Sequence, residues 1–232
     1  MRSTAADRDL TARARIRDAA IDVFVSDGFG APIRTIAVRA GVSPGLVIHH
    51  FTNKAGLRAE CDAHVLDSTR NRTGRILGAD GSDSSGGAVG DAVNETLQSM
   101  AEHGPLLVYV TRLMAEGGDS ARTFVDRLVD DVESSMRAAV AAGTVRASVD
   151  EAARARYLVT MALGTLTIDM AMNPPPDPSD GAAILRAYSD RTMVPAAEYA
   201  THGLLTDNSA LDAVLAARAA GSPLDGTGDS RS

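Results

Sequence analysis

Apolar residues recur along this chain at helical spacing almost throughout. Ile16, Ala20, Val23 and Phe24 fall at i, i+4, i+7 and i+8, one face of a first helix that Gly28 is placed to close. The strict alternation that marks half-buried strands is absent. Read the same way, residues 34–40, 44–51, 54–77, 88–103, 105–116, 120–142, 150–172, 181–201 and 209–220 are predicted helices, which makes an all-α fold of about ten helices. Ala-Ala-Gly at 141–143 is a stop for the seventh, and Pro195 predicts a kink in the ninth.

The periodicity lapses in three places. Residues 78–87 hold four glycines and no large apolar side chain, so they have little to bury and mark a break. Asn173–Asp180 holds four prolines in eight residues and separates two helical patterns. Residues 221–232 are rich in Gly, Ser and Asp and are expected to be a disordered tail.

Composition narrows the picture. Aromatic residues make up 3% and Trp is missing, so the core is built from Ala, Val, Leu, Ile and Met, as packed helices allow. Cys61 is the single cysteine and has no disulfide partner within the chain, and residues 1–17 are studded with Arg and Asp, against a secretory leader. The longest near-apolar stretch, 157–172, falls short of the roughly 20 residues of a membrane span and contains Asp169. A cytoplasmic protein without a membrane span is expected. The net charge of −7 hides an asymmetry: residues 1–77 carry 12 Arg plus Lys against 8 Asp plus Glu, while the remainder carries 11 against 22. A basic N-terminal part suits a polyanion, and the acidic remainder would be repelled by one.

The chemistry-bearing motif lies in the basic part. Ile36-Ala37, Ala40-Gly41-Val42-Ser43 and Pro44 to Phe51 read as a short helix, a tight turn at Gly41 and a second short helix capped by Ser43 with proline in its first turn. This is a helix-turn-helix. Ile36, Ala37, Val42 and Val47 are spaced to pack the two helices, which turns Pro44, Gly45, Leu46, His49 and His50 outward. Asn53 caps the next helix, and Lys54, the only lysine beside 22 arginines, opens it. Pro44 and Leu46 suit thymine methyls, Gly45 permits close backbone approach, and His49 suits a purine edge. His49 and His50 point about 100° apart, which disfavours a shared metal ion. His64, His103 and His202 match no metal or catalytic spacing, and Cys61 reads as a small buried residue rather than a redox sensor.

Ile16, Ala19-Ala20, Phe24, Gly28-Phe29, Ile36-Ala37, Ala40-Gly41-Val42-Ser43, Gly45, His50-Phe51, Lys54 and Leu57 together resemble the N-terminal region of the TetR family of bacterial transcriptional regulators, over about residues 13–60. The resemblance implies a DNA-binding domain at 1–57, a helical ligand-binding and dimerisation domain at 58–220 and double-stranded operator DNA as partner. It also implies His50 near a phosphate. Ile48 and Pro32 stand where the family commonly has Tyr and Thr, so two backbone-contacting hydroxyls are missing. Affinity then leans on Arg34, Lys54 and an arm carrying Arg2, Arg8 and Arg13. The expected DNA-binding set is Arg34, Ser43, Pro44, Gly45, Leu46, His49, His50, Asn53 and Lys54.

In the C-terminal part, residues 157–172 are apolar nearly all round, so one side can face the chain's own core and the other a second subunit. The resemblance implies that this helix and the one over 181–201 pair across a two-fold axis as a four-helix bundle, making a homodimer. Met100, Leu107, Tyr109, Val110, Met114, Phe124, Leu128, Tyr157 and Met161 either line an adaptable apolar cavity or form plain core. Asp169 either holds a cationic ligand or pairs with an arginine. The expected function is a repressor released from a palindromic operator by a small apolar effector, without cofactor or metal. A constitutive or partner-controlled DNA binder is the alternative. No triad order, metal cluster, phosphate-cradling loop or paired-carboxylate motif supports an enzyme.

Overall fold

The computed structural model describes residues 5–76, 104–178 and 180–219. Among them every regular element is an α-helix: α1 (Ala5–Asp27), α2 (Ile33–Ala40), α3 (Pro44–Phe51), α4 (Lys54–Ile76), α5 (Gly104–Glu116), α6 (Gly118–Ala141), α7 (Glu151–Met172), α8 (Gly181–His202) and α9 (Ser209–Ala219). The expected helices that fall on described residues are all present, with small shifts at their ends. The helix expected over 88–103, the break at 78–87 and the tail at 221–232 lie outside the described residues, as do Met100, His103 and Arg2.

Capping chemistry sets several of these ends. Gly28, at φ 80, closes α1 and donates its N–H to Phe24 O at 3.1 Å. Asp150 Oδ1 accepts the Ala153 N–H at 2.9 Å and starts α7. The proline-rich segment after Met172 is non-helical as expected, and α8 runs from Gly181 to His202 with Pro195 inside it.

The chain divides into two compact units, Met1–Tyr188 and Ser189–Ser232. In the first, α1 packs on α2, α4 and α5, α4 packs on α6, and α6 packs on α7. Helix α4 crosses the expected 57/58 boundary without interruption and buries Leu57, Cys61 and Val65 at i, i+4 and i+8. These residues share one apolar cluster with Phe24, Ile36 and Val47 on the N-terminal side and with Tyr109, Leu113, Phe124 and Leu128 beyond it. A displacement of α4 therefore moves side chains on both sides of that boundary.

Among the described residues of the first unit, helix α7 is covered on one side. Ala155, Val159, Leu166, Asp169 and Met170 are buried, while Tyr157, Met161, Ile168 and Met172 form an exposed stripe at helical spacing. No helix among the described residues is long and apolar enough to cross a membrane.

Candidate nucleic-acid interface

The turn between α2 and α3 is built from backbone hydrogen bonds that glycine permits. Gly41 sits at φ 65, and its N–H donates to Val38 O at 3.1 Å while the Val42 N–H donates to Ala37 O at 3.0 Å. These bonds satisfy two otherwise orphaned carbonyls at the end of α2. Ser43 Oγ accepts the Leu46 N–H at 3.2 Å, and Pro44 occupies the first turn, where its missing N–H costs nothing. Val47 and Phe51 turn into the common core, so Ser43, Pro44, Gly45, Ile48 and His49 are left exposed and Leu46 and His50 half-buried.

The junction from α3 to α4 is tight. Thr52, the one described non-glycine residue with positive φ, sits at φ 67 and ψ −48, and the Asn53 N–H donates back to Phe51 O at 2.7 Å. That is a γ-turn with positive φ, a conformation that costs a β-branched residue on the order of 1–3 kcal/mol. Asn53 Oδ1 then accepts the Gly56 N–H at 2.8 Å and caps α4 as expected. A Cβ on Gly56 would lie 2.3 Å from Phe51 O, so only glycine lets α4 begin this close to the end of α3. The sequence reading passed over Gly56, although a glycine in the first turn of a long helix was its signal.

The cations around α3 fall into two groups. Arg34 is exposed, Lys54 is half-buried, and neither forms an ion pair among the described residues, so both are available to phosphate. Arg13, expected on the DNA-facing arm, is engaged within the fold. One of its guanidinium nitrogens donates to His50 O at 3.2 Å, another pairs with Glu60 Oε2 at 2.7 Å, and the group lies 4.9 Å from the Phe51 ring centre. It ties α1 to the end of α3 and to α4. Arg39 is likewise engaged, by Asp22 at 3.3 Å.

Behind this face, a polar and aromatic hub joins α4 to the helices that follow. Arg58 Nε pairs with Asp62 Oδ1 at 2.9 Å and its Nη2 with Glu116 Oε2 at 2.9 Å, while the guanidinium lies 3.1 Å from the Phe29 ring centre. Buried Tyr109 donates its hydroxyl to Asp62 Oδ1 at 2.6 Å and meets the Phe29 ring edge-on at 5.1 Å. Burial opposes the Arg58 charge, but Asp62, Tyr109 and Glu116 outweigh it and hold the guanidinium above its ordinary pKa. Burial, reinforced by Asp62, pushes the Tyr109 phenol up, so it remains a donor. The hub was not foreseen in the sequence. The i, i+4 spacing of Arg58 and Asp62 on one helix was its available signal.

The expected ligand residues are dispersed. Leu107, Tyr109, Val110, Phe124 and Leu128 are buried in the shared cluster, Met114 packs at its edge, and Tyr157 and Met161 lie on the exposed stripe of α7. Asp169 is buried, and its Oδ1 accepts from Asn173 Nδ2 at 3.2 Å. Phe124 alone of this set lines the described cavity, which lies between α4 and the start of α6. Its walls mix Ala59, Ala63, Leu66 and Phe124 with Asp62, Asp119, Ser120, Thr123 and Arg127, so it is more polar than the expected apolar pocket. No group of three or more His, Cys, Asp or Glu among the described residues is placed to hold a metal ion.

Residues 16–61, which contain this turn and its flanking helices, match the family model of bacterial regulatory proteins of the tetR family, and residues 101–206 match that of the tetracyclin repressor-like C-terminal domain. The HTH-type transcriptional regulatory protein RaaS of Mycobacterium tuberculosis is 38% identical over 211 residues, 90% of this chain and 93% of the relative. The chain belongs to the TetR family. Among solved structures, SmeT, the repressor of the Stenotrophomonas maltophilia multidrug efflux pump SmeDEF, superposes with a TM-score of 0.53 at 24% identity, over 77% of this chain and 88% of that one. Salmonella enterica GusR gives 0.53 at 22% identity, over 78% and 95%. Both likenesses concern the fold. As a TetR-family member the chain is a DNA-binding transcriptional regulator and not an enzyme.

Proposed function

We propose that the chain is a homodimeric repressor that holds a palindromic operator and leaves it when a small-molecule effector binds its helical part. The observation that carries the reading is the exposed face of α3, flanked by the unpaired cations Arg34 and Lys54 and continued through the Gly56 junction into α4. Pro44, Gly45, Leu46 and His49 face bases, while Arg34, Ser43, His50, Asn53 and Lys54 sit toward phosphates, within a DNA-binding domain at 1–57. The exposed stripe Tyr157, Met161, Ile168 and Met172 on α7 supports a second copy as partner, within an effector-binding and dimerisation domain at 58–220. Two recognition helices tied to one another must match half-sites about 34–36 Å apart, so a shift of a few Å through α4 loses contacts in both.

Selection of duplexes from a random pool tests this reading. Enrichment of a palindrome with half-sites one helical turn apart is expected. Enrichment of a lone half-site, or of nothing, overturns the dimeric operator reading.

A further inference from the structure

Helix α3 is eight residues long, too short to be held by its own hydrogen bonds, so the finish of its two ends decides how its outer face is set. The first end is finished locally, by Ser43 and Pro44. The last end is not. No glycine caps it, and Thr52 takes the positive φ instead. Ile48 O accepts the Thr52 N–H at 2.8 Å and Phe51 O accepts the Asn53 N–H at 2.7 Å, but His50 O is taken by another helix, through the Arg13 guanidinium of α1 at 3.2 Å. That group also pairs with Glu60 of α4 at 2.7 Å and lies 4.9 Å from the Phe51 ring centre. A cation at the C-terminal end of a helix meets the negative end of its dipole, so the contact suits α3 as well as Glu60. Arg17, one turn further along α1, is engaged by Asp18 at 2.8 Å and does not duplicate the bridge. The side chains of Arg13 and Glu60 remain 42% and 34% exposed, so solvent screens the pair and its contribution to overall stability is small. What the bridge supplies is placement.

We infer that Arg13 and Glu60 are positioning residues for base reading: the bridge holds the last turn of α3, and with it His49, in register with the groove. His49 precedes the anchored carbonyl by one residue, and the planar fork of a guanidinium can bond a carbonyl and a carboxylate at once while lying against a ring, whereas an ammonium is a point charge without that geometry. The consequence runs against simple electrostatics. An acidic side chain beside a DNA-facing helix lowers affinity for a polyanion, so charge alone predicts that removing Glu60 tightens binding to every duplex. If Glu60 instead holds Arg13 on His50 O, its removal costs recognition of the specific sequence while sparing or tightening unrelated DNA. Arg13 likewise differs from a phosphate contact, whose loss weakens all sequences alike and lowers the salt slope by about 0.9 per protomer. The inference rests on the base-reading face of α3 proposed above and adds what sets that face.

The test takes the full-length protein, Glu60→Ala and Arg13→Lys through the same selection from a random duplex pool. The duplex enriched by the natural chain and an unrelated duplex are then titrated by fluorescence anisotropy at several salt concentrations. Both variants are expected to lower the ratio of specific to unrelated-duplex affinity by at least about tenfold, the effect of one charge-assisted hydrogen bond. Affinity for the unrelated duplex should be kept or, in Glu60→Ala, raised, with its salt slope unchanged. A general loss of folding does not move that ratio, because a partly unfolded head loses both duplexes in proportion. An unchanged ratio in either variant, or parallel weakening on both duplexes, overturns the inference. So does a slope lowered by about 0.9 per protomer in Arg13→Ala while Arg13→Lys behaves as the natural chain, which makes Arg13 a phosphate contact. If the natural chain itself enriches no sequence, base reading by α3 fails first and the inference falls with it; equal enrichment by the natural chain and both variants removes the bridge alone.

Discussion

Replacing Lys54 with alanine subtracts one unpaired cation per protomer from the edge of α3 and leaves the cap of α4 in place, because Asn53 supplies it. Each phosphate neutralised on duplex DNA contributes about 0.9 to the slope of log K against log salt, so a dimer on two half-sites should lose about 1.8 from that slope. At roughly 0.1 M salt, one decade below the molar reference, the same loss is about 60-fold in affinity, or about 2.4 kcal/mol. The assay is fluorescence anisotropy of a labelled operator, titrated at several salt concentrations between about 50 and 200 mM. The weakening should be alike for specific and unrelated duplexes, because a phosphate contact carries no sequence information. Arg39→Ala is the matched control, since Arg39 is exposed on α2 but already engaged by Asp22 at 3.3 Å. An unchanged slope for Lys54→Ala, or an equal loss for Arg39→Ala, refutes the argument that ion pairing decides which cations face DNA.

Three further outcomes follow from the packing. Cys61 is fully buried, burial pushes its thiol up to about 12, and its Sγ donates to Arg17 O at 3.7 Å, so thiol reagents near pH 8 should label the native protein only as fast as it opens; prompt native labelling would contradict this. Since that pKa lies above the unfolded value, the thiol's stabilising contribution is whole at neutral pH and falls as pH rises from about 9 toward 12, a decline that denaturation at alkaline pH should show and Cys61→Ala should lessen. Tyr109→Phe removes the hydroxyl given to Asp62 but leaves Arg58 on the carboxylate, so urea denaturation should show a loss of about 1–2 kcal/mol, and no loss would mean the bond contributes nothing. A Cβ at Gly164 meets nothing within 4 Å, so a side chain can leave the helix there, and, if the proposed dimer forms through α7, sedimentation of Gly164→Arg should find folded monomers; an intact dimer would place the interface elsewhere.

Features that depend on a few neighbouring residues were legible in the sequence. The helical period, the Ser43 and Asn53 caps, the left-handed turn at Gly41 and the stop at Gly28 each follow from backbone chemistry within about one turn, and the structure shows them. Contacts between distant segments were not legible. Arg13 looked like any basic residue of an arm, and only the fold brings it to His50 O and Glu60, 37 and 47 residues away. Arg58 meets Glu116 across 58 residues, and Tyr109 meets Asp62 across 47.

By itself, then, the sequence determined an all-α chain with a helix-turn-helix, because helix period, capping and turn conformation are local and each residue type carries its own preference. The tertiary structure alone decided which cations stay free and which are spent on structure, because a guanidinium pairs with whichever carboxylate the fold places within reach. It also decided which face of α7 is buried among the described residues, Ala155, Val159, Leu166 and Met170 rather than Tyr157, Met161, Ile168 and Met172, since hydrophobicity records a need for burial and only the packing shows which face is covered.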